Sequence, residues 1–124
     1  MKKHILVVDD EAPTRELVGL FFKSRGYEIS TASTAAEARA KLAELPVDLV
    51  ILDVNLGDDD GLALLPEVRS QSPKIPVIVF TGLAYDETVR ERALALGADR
   101  FMAKTQPLAE MLREVQNALG QPCN

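Results

Sequence analysis

The chain has 124 residues, of which 47% are hydrophobic and 27% charged, the balance of one ordinary globular domain that buries roughly two thirds of its unfolded surface. Its net charge of −5 and the lack of a basic patch argue against direct nucleic-acid binding. The single cysteine, Cys123, excludes an internal disulfide, and no apolar run approaches the roughly 18 residues that suggest a membrane span.

The first apolar run, Ile5-Leu6-Val7-Val8, predicts a strand over 4–8 and ends in Asp9-Asp10-Glu11. Four apolar residues are too few for a signal peptide, so a cytoplasmic protein is expected. A helix follows from about Pro13, suited to a first helical position, to Arg25, with Gly26 as its C-terminal cap. A second strand, 28–32, leads to a helix opening at Thr34, with Glu37 at capping-box spacing. Ala35, Ala38, Leu42 and Leu45 mark its buried face, and Pro46 ends it. The third strand, 48–52, is followed by Asp53. The next helix starts after Asp60, with Gly61, Leu64, Leu65 and Val68 on one stripe. The fourth strand, 76–80, precedes Thr81-Gly82, and a helix runs from about Asp86 to Leu96, closed by Gly97. The last strand, 100–103, ends at Lys104. The last helix has Leu108, Met111, Leu112, Val115 and Leu119 at helical spacing and closes at Gly120.

Five strand–helix units in a row predict an α/β domain with a parallel sheet and helices on both faces; in the strand order 2-1-3-4-5 the first and third strands are neighbours flanking the switch point. Right-handed crossovers bring the strand ends that carry chemistry to one edge. Three carboxylates meeting there, Asp9, Asp10 and Asp53, repel one another unless a cation intervenes, and Mg²⁺ is the natural guest. Asp53 stands alone at its strand end, so it can be both ligand and nucleophile, forming an aspartyl phosphate. Lys104 can neutralise phosphoryl oxygens, and Thr81 can donate a hydroxyl to them. Singly, these residues have plain explanations: an aspartate caps a helix, a threonine sits in a turn, a lysine is solvated. Their ordered occurrence at four strand ends outweighs those explanations. His4 lies within the first strand and has no second histidine to form a metal site with, so it is read as structural or exposed.

The motifs V-V-D-D-E at 7–11, V-I-L-D-V-N-L-G-D-D-D-G at 50–61, V-F-T-G at 79–82 and F-M-A-K at 101–104 carry a resemblance. From Lys3 to Leu119 the chain resembles the receiver domain of bacterial two-component response regulators, the stand-alone kind used in chemotaxis and phosphorelays. The resemblance implies a single flavodoxin-like (βα)5 domain over 1–124. It implies Asp53 as phosphoacceptor, with Mg²⁺ held by Asp9, Asp10, Asp53 and the backbone carbonyl of Asn55, Asp10 being the more direct of the acidic pair. Thr81 then resembles the switch hydroxyl, Lys104 the phosphoryl-contacting lysine and Phe101 a rotating aromatic coupled to Thr81. The implied donor is a histidine kinase or histidine phosphotransfer protein. It would dock on the exposed face around Pro13, Thr14, Glu16 and Gly19, with Thr105 and Gln106. A downstream protein would read the face of the fourth helix, fifth strand and fifth helix. The domain would catalyse only its own phosphorylation and hydrolysis. It would be a monomer or a phosphorylation-dependent homodimer, with Arg90, Glu91, Arg113 and Glu114 either pairing across the dimer or solvated.

Three positions depart from the family pattern. Gly57 stands where a proline is common, which permits positive φ and predicts a more flexible metal loop. Thr105 replaces a proline that usually follows the lysine through a cis bond. A cis bond before a non-proline residue costs roughly 3 kcal/mol, so a trans peptide is expected, and the reach of Lys104 becomes a question. Pro107 is expected in the first turn of the last helix. Leu83, two residues after Thr81, cannot orient an attacking water. After Leu119 only Gly-Gln-Pro-Cys-Asn remains, so no output domain is expected within these residues; the chain is a single-domain regulator or the receiver part of a longer protein. A receiver-like interaction domain that works without phosphorylation is the main alternative. A haloacid dehalogenase-type phosphatase would need Asp-x-Asp after the first strand, and a dinucleotide site would need G-x-G-x-x-G there; neither is present. The Leu83 substitution predicts a phosphoaspartate lasting many minutes or more. Decay of the phosphorylated protein in Mg²⁺ measures it, and a lifetime of seconds would overturn the assignment.

Overall fold

Short runs of Val, Ile and Leu, flanked by turn residues, build a central sheet whose alternate side chains feed two separate cores. The structure is a computed structural model that describes residues 2–57, 59–71, 74–82 and 86–121. Strands β1 (His4–Val8), β2 (Glu28–Ala32), β3 (Leu49–Leu52), β4 (Val77–Thr81) and β5 (Arg100–Ala103) alternate with helices α1 (Ala12–Ser24), α2 (Ala35–Glu44), α3 (Leu64–Gln71), α4 (Glu87–Ala95) and α5 (Leu108–Ala118). The sheet is parallel, in the order β2-β1-β3-β4-β5. This is the flavodoxin-like order expected from the sequence.

Alternation along the strands decides which helix goes where. Ile5, Val7, Leu49, Ile51, Ile78 and Phe80 face α1 and α5, where they meet Val18, Phe22, Met111 and Val115. Leu6, Val8, Val50, Leu52, Val77 and Val79 face the other way, against Ala38, Leu65, Val68 and Ala93 of α2, α3 and α4. Phe22 is fully buried and meets Phe21 and Tyr27 edge-to-face at 5.2 and 5.5 Å. His4 is buried and structural, with Nε2 2.7 Å from Ser30 Oγ.

Several helix ends differ from expectation for local reasons. The Thr34 hydroxyl accepts from the Glu37 N–H at 3.1 Å, but the Glu37 carboxylate accepts from the Ser33 hydroxyl, so only half of the capping box forms. Residues Gly61–Ala63 form a 3-10 turn before α3 begins at Leu64. Pro66 lacks the N–H that would bond to the Leu62 carbonyl in an α-helix, and the Leu64 N–H bonds back to the Gly61 carbonyl. Pro107 is the N-cap of α5, one residue before the first turn; its carbonyl accepts from the Glu110 N–H at 3.0 Å. Thr81 is the last residue of β4 itself. Gly19, expected on an exposed face, is buried against Ile29; Pro13 and Glu16 are exposed beside the outward-facing Leu17 and Leu20.

The segment after β3 was not expected to hold any strand. Asn55–Leu56 and Asp59–Asp60 pair as a two-rung antiparallel hairpin. Gly57 lies at its turn with φ +66°, as its freedom allowed. Leu83 and Cys123 lie outside the described residues.

Gly61 closes this segment onto β3. A Cβ there would sit 2.0 Å from the Asp53 carbonyl oxygen and 2.8 Å from that of Val54. Gly61→Ala is therefore expected to destabilise the fold by at least about 1–3 kcal/mol, the usual range for overpacking, in urea or thermal unfolding. A variant as stable as wild type would show that the segment relaxes freely.

Candidate functional site

Backbone pairing aligns the charged residues. Val8 pairs with Leu52, and the Asp53 N–H donates to the Val8 carbonyl at 2.9 Å, so Asp9 and Asp53 leave the sheet side by side. Thr81 pairs with Ala103, and the Lys104 N–H donates to the Thr81 carbonyl at 3.0 Å. Asp9, Asp53 and Thr81 are buried, while Asp10 and Glu11 are exposed. One carboxylate oxygen from each of Asp9, Asp10, Glu11 and Asp53 lies within 4.8 Å of the others. A cavity of about 420 Å³ opens over them, lined by Asp10, Glu11, Asp53, Asn55, Thr81 and Lys104.

Lys104 is the counterion. Its Nζ lies 3.0 Å from Asp9 Oδ2, 2.5 Å from Glu11 Oε1 and 2.9 Å from Asp53 Oδ2. Burial disfavours the ammonium, yet the Glu11, Asp53 and Asp9 carboxylates hold its pKa well above the ordinary lysine value. Burial pushes the Asp9 carboxyl up, and the Asp53 charge adds to this. The Glu11 N–H, 2.9 Å from Asp9 Oδ1, and Lys104 oppose it. Lys104 also holds the exposed Glu11 carboxyl below its ordinary value.

The sequence-derived residues converge with one separation. Asp9, Asp10, Asp53, Thr81 and Lys104 meet at one edge. Asn55 stands at the hairpin and donates its N–H toward Asp53 Oδ1 at 3.4 Å. Phe101 is half-buried one layer away, paired with Val79 and packed on the core beneath α4. Asp10 Oδ2 accepts from the Gly57 N–H at 3.1 Å, tying the first loop to the hairpin turn. No cis peptide bond occurs among the described residues, and Lys104 reaches the acidic cluster through a trans bond to Thr105. Gln106 shapes that loop: its side-chain oxygen accepts from the Ala103 N–H at 2.8 Å and its amide donates to Glu110 at 2.9 Å. Sequence reasoning missed the part of Glu11. The only signal was a third acid in the run 9–11 beside a lone lysine at another strand end.

Four carboxylate oxygens are hard donors, two of them on buried residues, and suit a hard divalent cation. On the neighbouring surface, two of the four charges that either pair between copies or are solvated have partners within the chain. Glu114 binds Arg100 at 2.6 Å, and Arg90 lies 3.9 Å from Glu87.

The sheet order and the charged pocket at its carboxyl edge define a doubly wound α/β domain with its site at the point where the strand order reverses. The chain belongs to the response regulator receiver domain family, whose model matches residues 5–116. It is 35% identical over 119 residues to the TorCAD operon transcriptional regulatory protein TorR of Escherichia coli O157:H7, covering 96% of this chain and 51% of that one. The chain thus spans about half the length of such curated relatives. A CheY-like receiver domain protein from Methanospirillum hungatei JF-1 superimposes with a TM-score of 0.91 at 29% identity, covering 97% of this chain and 95% of that one. The response regulator TrrA of Thermotoga maritima, solved in complex with Mg(2+)-BeF, superimposes with a TM-score of 0.84 at 33% identity, covering 94% and 99%.

Removing the ammonium leaves the buried Asp9 and Asp53 carboxylates facing each other. Lys104→Met is expected to lower stability at pH 7 in metal-free buffer by about 1–3 kcal/mol. The folded-state pKa of Lys104 is raised, so its contribution is fully present below the ordinary value of 10.5 and is lost as pH rises through the raised value. Urea unfolding of both proteins across that window checks the sign; equal stability at pH 7 would overturn it.

Proposed function

We propose that this chain is the phosphoacceptor module of a two-component system and that Asp53 takes its phosphoryl group from a phosphohistidine. The observation that carries this is the buried Asp53 carboxylate at the end of β3, 2.9 Å from Lys104 Nζ and open to the cavity shared with Thr81. An oxygen of Asp53 attacks phosphorus as the phosphorus–nitrogen bond breaks. The electron pair goes to the imidazole nitrogen of the donor, which takes a proton from water. Lys104 and the Thr81 hydroxyl receive the charge on the phosphoryl oxygens. Asp9, Asp10, Asp53 and the Asn55 carbonyl would hold Mg²⁺, which when bound supplies positive charge to those oxygens. The likeness to a regulator solved with Mg(2+)-BeF supports this metal requirement.

Movement of Thr81 toward the phosphoryl group and of Phe101 into the space beneath α4 then shifts the α4–β5–α5 face between two populations. The face binds a downstream protein, or a second copy of this chain, in the phosphorylated state. In a longer protein like the transcriptional regulator TorR, DNA contacts would belong to the part outside these residues. The donor is a histidine kinase or histidine phosphotransfer protein, docking near Pro13, Glu16 and Thr105. The domain, taken as 1–124, acts in the cytoplasm and turns over only its own phosphoryl group. The reach of Lys104 to Asp53 supports phosphorylation over the phosphorylation-independent alternative.

Intact-mass spectrometry after incubation with acetyl phosphate tests the reading. One Mg²⁺-dependent phosphoryl group is expected on wild type and none on Asp53→Asn. If wild type gains none from acetyl phosphate and none from a panel of phosphohistidine donors, the domain works without phosphorylation.

A further inference from the structure

A lysine ammonium has three protons to donate and accepts none. Lys104 meets three carboxylates, Asp9 at 3.0 Å, Glu11 at 2.5 Å and Asp53 at 2.9 Å, so all three protons have partners in the unphosphorylated site. A phosphoryl oxygen can gain a proton from Lys104 only by displacing one of them. Asp53 carries the phosphoryl group, and Asp9 is held in place by burial, with only 3% of its side chain exposed. Its carboxylate also accepts from the Glu11 N–H, and its carbonyl accepts from Arg15 at 2.7 Å. Glu11 is different: 60% of its side chain is exposed, and its carboxylate meets the ammonium of Lys104. Water replaces Lys104 around Glu11 at little cost.

We propose that Glu11 is a positioning residue for Lys104: it holds the ammonium at the lip of the cavity in the resting state and is the partner that leaves when a phosphoryl group arrives. This rests on the phosphoacceptor reading above and deepens it. Glu11 thereby opposes phosphorylation in proportion to the strength of one exposed ion pair. The carboxylate lines the same cavity as Asp53, so its departure also frees space there.

The test is a double-mutant cycle with beryllofluoride, a phosphoryl stand-in, titrated in saturating Mg²⁺ and followed by amide NMR. Glu11→Ala is expected to bind it about two- to fivefold more tightly than wild type, the range an exposed pair supports. In a Lys104→Ala background the same substitution is expected to change nothing, because the competition has no object. The lysine side-chain resonances assigned to Lys104 should also shift in metal-free Glu11→Ala, a readout independent of ligand. Unchanged or weaker binding in Glu11→Ala, or an equal effect with and without Lys104, overturns the proposal. So does a tenfold loss of Mg²⁺ affinity in Glu11→Ala, which would make Glu11 a metal ligand. Failure of wild type to bind beryllofluoride at all would overturn both this role and the phosphoacceptor reading. Binding indifferent to Glu11 would overturn this role alone.

Discussion

One ammonium group holds the charged end of this fold together. Asp9 and Asp53 are buried side by side because neighbouring parallel strands end in register, and two carboxylates held this close repel each other unless a cation intervenes. Lys104 comes from the far side of the sheet, across β4, to meet them. The backbone bond from the Lys104 N–H to the Thr81 carbonyl ties the lysine to the end of β4.

The ground around Asp53 is built for close approach. Gly61 packs directly on the carbonyls of Asp53 and Val54, with its N–H 2.6 Å from the latter. The hairpin this creates is held from two sides. The Asp10 carboxylate accepts from Gly57, and the Asp60 carboxylate both caps the 3-10 turn at Leu62 and meets Arg92 of α4 at 2.6 Å. Asp60 therefore links the loop beside Asp53 to α4 by a short physical route. Exposed pairs of this kind contribute little to stability.

Away from that edge the molecule is held by apolar packing. The two cores on opposite faces of the sheet are built from alternate residues of the same strands, so neither needs polar groups. The opposite end of the sheet is closed by polar contacts of another kind. Arg69 of α3 donates to the carbonyls of Gly97 and Ile75 and pairs with Asp99, whose carboxylate also caps the start of β4 at Val77. The buried apolar residues thus lie between two polar ends of the strands, the acidic cluster at one and the Arg69–Asp99 contacts at the other.

Fold class, strand order and the meeting of Asp9, Asp10, Asp53, Thr81 and Lys104 were legible in the chain because they follow from local signals and motifs. Apolar runs, caps and the handedness of crossovers bring the strand ends to one edge of a parallel sheet, and the motif resemblance supplied the strand order. The half-formed capping box at Thr34, the 3-10 entry to α3 and the hairpin at 55–60 were not legible. Each depends on one competing partner: Ser33 for Glu37, the missing N–H of Pro66, and the close seat of Gly61 on β3. The placement of Gly19 inside the fold likewise depends on α1 lying against Ile29. Sequence by itself determined which charges reach the edge, since strand ends are fixed by periodicity. Only the tertiary structure decided how they pair. Lys104 lies 93 residues from Glu11 along the chain, and spacing carries no information about which of several acids a flexible ammonium will touch.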